Sequence, residues 1–174
     1  MLEPTDIAGV ILRRLATNAD DRGALTEVFR QEWLPAGAPS MLQANLSRSR
    51  AGVLRGMHFH RKQADYWCVL DGTAFIALCD LRPDSESTRA AATVTVDSAE
   101  GLVGLYIPPG VAHGFCALTD MRLQYFVDAY FDGTDEFGFA WNDPEAAIPW
   151  PVSEPMLSAR DSGNPSLTDA MASW

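Results

Sequence analysis

Between residues 66 and 127 the sequence is a series of short apolar runs, each cut off by turn-forming residues. Residues 66–70 (YWCVL) and 73–79 (TAFIALC) are rich in β-branched and aromatic side chains. Such side chains pack well on a pleated surface and are stiff in a helix. Residues 92–96 (ATVTV) and 123–127 (LQYFV) alternate, which is the period of a strand with one buried face. Residues 102–107 make a further run, and Pro108, Pro109 and Gly110 stop it. Asp71 and Gly72 separate the first two runs and predict a hairpin there. Short strands at this spacing predict an all-β sandwich or closed barrel. Helix signals are weak: residues 6–16 predict a short strand and residues 143–147 a single helical turn. From about residue 150 the chain is Pro- and Ser-rich and is expected to wrap the barrel surface. No repeat or composition break divides residues 1–174, so one domain is expected.

The chain carries 13 Lys and Arg against 23 Asp and Glu, a formal net charge of −10. That balance argues against nucleic acid and anionic membrane as partners, because both need a basic face. It leaves room for a small phosphorylated ligand, which needs only a few well-placed arginines. The three cysteines, Cys68, Cys79 and Cys116, are odd in number and unclustered, so a disulfide framework is not expected. Cys68 and Cys79 lie in apolar runs and read as buried thiols. No apolar run reaches transmembrane length and the first residues carry no signal-peptide pattern. The expectation is a reduced, cytoplasmic protein.

The candidate chemistry gathers around the histidines His58, His60 and His113. His58 and His60 are two apart, so on a strand they share a face. The spacing Gly52-x5-His58-x-His60-x4-Asp65-x6-Gly72, followed by Pro108-x-Gly110-x2-His113, looks like the two motifs of the cupin superfamily, with Asp65 where Glu is usual. It predicts a cupin-type jelly-roll β-barrel with short peripheral helices. Imidazoles with a carboxylate suit a divalent transition metal, and His58, His60, Asp65 and His113 are the candidate ligands. The competing reading is metal-free: an imidazole base, oriented by a carboxylate, removes a proton beside a carbonyl. On sequence alone Tyr125 reads as core and Asp161 as a turn or cap, while Arg55 reads equally as a surface ion pair. Trp141 and Trp150 read as packing residues, and the acidic cluster from Asp132 to Glu136 as a solvated loop.

A wider set of segments resembles one family. They run from residues 20–23 (DDRG) through Gln43, Asn45, residues 52–58 (GVLRGMH), Gln63, residues 80–82 (DLR) and 107–115 (IPPGVAHGF). They continue through Tyr125, Tyr130 and residues 141–144 (WNDP), 148–151 (IPWP) and 157–161 (LSARD). Together they resemble the dTDP-4-dehydrorhamnose 3,5-epimerase family, itself part of the cupin superfamily. The resemblance implies an isomerase acting at C3, C5 or both of a nucleotide-diphospho-4-keto-6-deoxy sugar, with no cofactor. It makes His58 the general base, Asp161 its partner carboxylate and Tyr125 the acid on the opposite face. It gives Arg22 and Arg55 to the diphosphate, with Arg160 where the family usually has Lys. Gln43, Asn45 and His113 would line the sugar and phosphate site, Glu27 joins the substrate-binding set, and Tyr130 would lie against the base. A homodimer is implied, the N-terminal segment of one subunit completing the other's base pocket.

The chain leaves the family pattern in three places. His60 stands where Gln is usual and Asp65 where Lys is usual; together these changes point toward a metal-binding cupin pattern. A bound divalent cation would then supply the positive charge that Lys no longer does near a developing enolate. Asn18, Ala24 and Leu25 replace aromatics around the Asp-Arg-Gly motif, so stacking on a base is lost there. The rival functions are a metal-dependent cupin enzyme, such as a sugar isomerase or dioxygenase, and a sugar-nucleotide binding protein without turnover.

Overall fold

The computed structural model describes residues 2–131 and 133–172, with side chains from residue 5 onward. Its strands are β1 (Leu2–Pro4), β2 (Ile11–Arg14), β3 (Thr17–Asp20), β4 (Gly23–Thr26), β5 (Gln43–Ser49), β6 (Leu54–Phe59) and β7 (Asp65–Asp71). They continue with β8 (Thr73–Asp80), β9 (Ala91–Asp97), β10 (Val103–Ile107), β11 (Val111–Ala117), β12 (Met121–Val127) and β13 (Phe137–Gly138). Two short helices, α1 (Ala159–Ser162) and α2 (Leu167–Ala172), follow. A six-stranded sheet has the order β1-β2-β10-β7-β12-β5, and a five-stranded sheet the order β13-β6-β11-β8-β9. Consecutive strands from β5 to β12 repeatedly cross between the two sheets. That crossing is the jelly-roll arrangement the spacing predicted.

The apolar runs become strands because most are buried on both faces. Between the sheets lies a core that includes Trp67, Ile76, Leu78, Leu105, Phe115 and Leu123. Outside the five-stranded sheet, Met57, Phe59, Ala77 and Cys79 pack under Phe139, Leu167 and Ala170. Outside the six-stranded sheet, Tyr66 and Tyr106 pack under Leu34, Phe29 and Met41. The segment after residue 150 contributes one of these covers. It is anchored where the Leu54 amide donates to the Met156 carbonyl and the Met156 amide to the Gly52 carbonyl, at 3.0 and 2.9 Å. All three cysteines are free and buried, and burial pushes the Cys68 and Cys79 thiols up to about 12. No helix of the described residues is long and apolar enough to cross a membrane.

The expected hairpin at Asp71 and Gly72 is not one. β7 belongs to the six-stranded sheet and β8 to the five-stranded sheet, so the turn is a corner between layers. Gly72 takes φ +82°, and a Cβ there would lie 2.3 Å from the Asp120 carbonyl oxygen. The turn chemistry was right in requiring Gly; the partner of each strand was not local information. The expected helical turn at 143–147 is present as a single, uncontinued turn, the Ala147 amide donating to the Asp143 carbonyl at 3.2 Å. The Asp143 carboxylate also accepts from the amides of Glu145 and Leu167, tying α2 to this turn.

The end of β8 carries a buried ionic cluster. Asp80 is fully buried and accepts from Arg82 Nε and Nη2, both at 2.7 Å, and from the hydroxyls of Ser85 and Ser87. Burial pushes the Asp80 carboxyl up, but these donors outweigh it and hold it at about 2. A depressed folded-state pKa stabilises above the unfolded value, and that stability disappears as pH falls from about 4 to about 2. The expected loss is about 2 kcal/mol, measured by chemical denaturation across that window. Asp80→Asn should lose a similar amount at neutral pH and flatten this part of the acid limb; an unchanged limb would contradict the assignment.

Candidate active site

A cavity of about 290 Å³ opens between the two sheets. His58, His60, Arg55, His113 and Phe115 reach it from the five-stranded side, and Ser47, Asp65, Trp67, Leu123 and Tyr125 from the six-stranded side. Gln63, Phe131, Glu136 and Arg160 complete its lining. His58 and His60 share the cavity face, as the two-residue spacing requires, while Met57 and Phe59 point into the outer cluster. Arg55 shares it too, three residues from His58 and out of period. The pairing of β6 with β11 shifts register between His113 and Phe115, opposite this stretch. The backbones meet closely there: a Cβ on Gly56 would lie 2.7 Å from the Gly114 Cα.

His58 Nε2 lies 2.6 Å from Asp161 Oδ1. Asp161 is buried, and its amide donates to Ser158 Oγ, the N-cap of α1. The cap reading of Asp161 therefore does not hold: Ser158 caps α1, and the Asp161 side chain serves His58. Burial pushes the Asp161 carboxyl up, but the hydrogen bond and charge of His58, with Ser158 and the Gly56 backbone, hold it below its ordinary value. An ionised carboxylate only accepts, so Nε2–H donates to it. That leaves Nδ1 of a neutral His58 as the basic nitrogen.

Tyr125 stands on β12, across the cavity from β6. Burial raises the pKa of its hydroxyl, the charges of Asp65 and Glu136 add to this, and Arg55 opposes them. It is a phenol, and hence a proton donor, at neutral pH. The Arg55 guanidinium donates to Ser49 Oγ at 3.1 Å and, among the described residues, meets no carboxylate, so the surface ion-pair reading does not hold. Arg160 Nη1 pairs with Glu136 at 2.7 Å. His113 is buried, which pushes its imidazole down to about 4, so the ring is neutral.

The structure divides the four candidate metal ligands. His60, Asp65 and His113 each place one ligand atom within 4.8 Å of the others. His58 stands outside that group, its Nε2 taken by Asp161. The acidic segment is only partly the solvated loop expected: Gly133 and Thr134 are exposed, Asp135 and Glu136 are half-buried, and Asp132 lies outside the described residues. The Asp135 carboxylate accepts from the amides of Arg61, Lys62 and Gln63, and its carbonyl accepts from His60 Nδ1 at 2.6 Å.

Other expected site residues lie apart from the cavity. Arg22 is exposed on the β3–β4 hairpin and bonds Asp20. Asn18, Ala24 and Leu25 share that hairpin, beside a shallow surface depression. Glu27 is paired with Arg30 at the surface. On β5, Gln43 Nε2 donates to Asn45 Oδ1 at 2.8 Å, and Asn45 is the strand partner of Tyr125. Tyr130 is exposed, next to Phe131 in the cavity lining. Sequence reasoning did not place Phe131, Trp67 or Glu136 in the site, and read Glu136 as part of a solvated loop. The adjacent aromatics Tyr130 and Phe131 just beyond a strand were the available signal.

Comparison with known proteins identifies the family. The profile of the dTDP-4-dehydrorhamnose 3,5-epimerase family matches residues 4–169. The dTDP-4-dehydrorhamnose 3,5-epimerase of Escherichia coli is 36% identical over 165 residues, covering 90% of this chain and 89% of that protein. The structure of the Mycobacterium tuberculosis rmlC epimerase superposes with a TM-score of 0.92 at 31% identity, covering 99% of this chain and 91% of the other. NovW of Streptomyces spheroides, a 4-keto-6-deoxy sugar epimerase, gives 0.90 at 32% identity, with 99% and 90% covered. The chain belongs to the dTDP-4-dehydrorhamnose 3,5-epimerase family.

Proposed function

We infer that this protein epimerises a nucleotide-diphospho-4-keto-6-deoxy sugar at C3, C5 or both. One observation carries the assignment of roles: His58 and Tyr125 face the same cavity from opposite sheets. Inversion at carbon needs a base on one face and an acid on the other. The 4-ketone acidifies the protons on its neighbouring carbons. His58 Nδ1 takes one, the electron pair moves onto the ketone oxygen, and Asp161 steadies the imidazolium. Tyr125 returns a proton from the opposite face. Asp161 is thus a positioning residue. A cavity of about 290 Å³ suits one sugar ring better than a whole nucleotide sugar, so the nucleotide lies over the rim. Arg55 at the wall serves the diphosphate, with His113 against the sugar and the exposed Tyr130 and Phe131 offered to the base. Arg160 would have to leave Glu136 to contact phosphate.

The β3–β4 hairpin, outside both sheets, holds Arg22 away from its own chain's cavity. A homodimer in which this hairpin reaches the other subunit's cavity accounts for Arg22, and is part of this reading. So is a cytoplasmic location, which three free thiols favour. Incubation of the protein with a dTDP-4-keto-6-deoxy sugar in heavy water tests the proposal by mass spectrometry. Deuterium should enter beside the ketone only when protein is present. No uptake with this or any other nucleotide-4-keto sugar would leave only a binding role.

A further inference from the structure

We propose that His60, Asp65 and His113 form a binding site for one first-row divalent transition-metal ion, beside His58. The three side chains are all buried, and one ligand atom of each lies within 4.8 Å of the others. Each imidazole is already oriented for the purpose. His60 Nδ1 donates to the Asp135 carbonyl at 2.6 Å, and His113 Nδ1 donates to the Val111 carbonyl at 3.0 Å. A carbonyl only accepts, so both protons are fixed on Nδ1 and both Nε2 lone pairs are left for a ligand. Metal-binding histidines are held in this way, the second nitrogen donating to a carbonyl or carboxylate.

Asp65 is oriented in the same fashion. Gln63 Nε2 donates to one carboxylate oxygen and Trp67 Nε1 to the other, both at 2.9 Å. Each oxygen keeps accepting capacity beyond that bond. Among the described residues no Lys or Arg pairs with Asp65, so a carboxylate that is 4% exposed faces two imidazoles without a counter-charge. Buried charges are ordinarily paired or coordinate metals. Ligands about 2 Å from a metal stand roughly 3–3.5 Å from one another, so binding draws these three groups together slightly. Two imidazoles and one carboxylate, with no thiolate, suit Fe²⁺, Mn²⁺, Co²⁺ or Zn²⁺, and three protein ligands leave a coordination position open.

The site stands on its own geometry, but the use suggested for it rests on the epimerase reading. A cation there would supply positive charge beside the ketone oxygen of a sugar held between His58 and Tyr125.

The test is titration of the full-length, untagged, metal-stripped protein with Co²⁺, followed by visible ligand-field absorption. A band saturating at one ion per chain, displaced by Zn²⁺ but not by millimolar Mg²⁺, is expected. His60→Gln retains a donor for the Asp135 carbonyl and Asp65→Asn retains acceptance from Trp67, so both should fold. Each should weaken Co²⁺ binding roughly 100-fold or more. His58→Ala should bind Co²⁺ as the parent protein does. Absence of the band, or a band unaltered by both substitutions, overturns the site; a band lost in His58→Ala shows a different ligand set and overturns it as well. Heavy-water exchange is scored separately. A Co²⁺ band without exchange removes the epimerase reading and leaves the site, and exchange without a band does the reverse.

Discussion

His58→Ala should lower deuterium uptake beside the ketone by about 10³-fold or more, the loss of a general base that no neighbour replaces. The reason lies in the bond between His58 Nε2 and Asp161 Oδ1 at 2.6 Å. It commits one nitrogen to the carboxylate and leaves Nδ1 to the substrate. The other imidazoles bordering the cavity, His60 and His113, have Nδ1 tied to backbone carbonyls, and His113 is deeply buried. Glu136 Oε1 lies 3.6 Å from His60 Nδ1 and Asp65 faces both rings, but neither ring has the short carboxylate bond of His58, so neither takes over. The substitution also strips Asp161 of a partner in a buried position, which costs stability, so thermal melts must accompany the kinetics. His58→Asn keeps a donor for Asp161 and should be nearly as inactive while melting closer to the parent. Undiminished exchange in a folded variant would remove His58 from the base role.

Much of the barrel was legible because its strands obey local rules. β-branched and aromatic residues fill runs such as residues 73–79, and burial on both faces makes them continuous rather than alternating. Which strands pair was not legible. Asp71 and Gly72 announce a turn, but whether the chain folds back on itself or crosses to another sheet depends on contacts distant in sequence, here with Asp120. The site shows the same limit. His58 and His60 facing one cavity follows from strand periodicity. The pairing of His58 with Asp161 joins residues 103 positions apart, and only the family resemblance suggested it. That one bond also explains why a four-ligand reading of the histidine pattern fails and a three-ligand group survives. Asp135 was misread because an acidic, Gly-containing stretch usually is solvent-facing. Its three amide contacts form only when the loop closes over residues 61–63. Arg22 and Glu27 lie away from the cavity in a single chain, and no single-chain pattern specifies what a second subunit would bring together.

Tyr125→Phe should separate the two halves of the reaction. The ring keeps its place on β12 against the core, so the barrel should melt within a few degrees of the parent. What disappears is the phenolic proton on the face opposite His58. Burial and the charges of Asp65 and Glu136 raise that phenol above its ordinary value of 10.0, so it remains a donor throughout the neutral range. Without it the enolate still forms, because His58 and Asp161 are untouched. The proton can then return only from His58, to the face it left. Deuterium washes in through His58 with retention of configuration, while inverted product should fall about 10³-fold. The measurement is mass-spectrometric deuterium content and NMR configuration on the same quenched samples. The expected result is exchange within about ten-fold of the parent together with almost no epimer. Loss of both in equal proportion would mean that Tyr125 acts in forming the enolate rather than in quenching it. Loss of neither would make water, or another group on the six-stranded side of the cavity, the acid. The division of labour between the two sheets rests on the first of these outcomes.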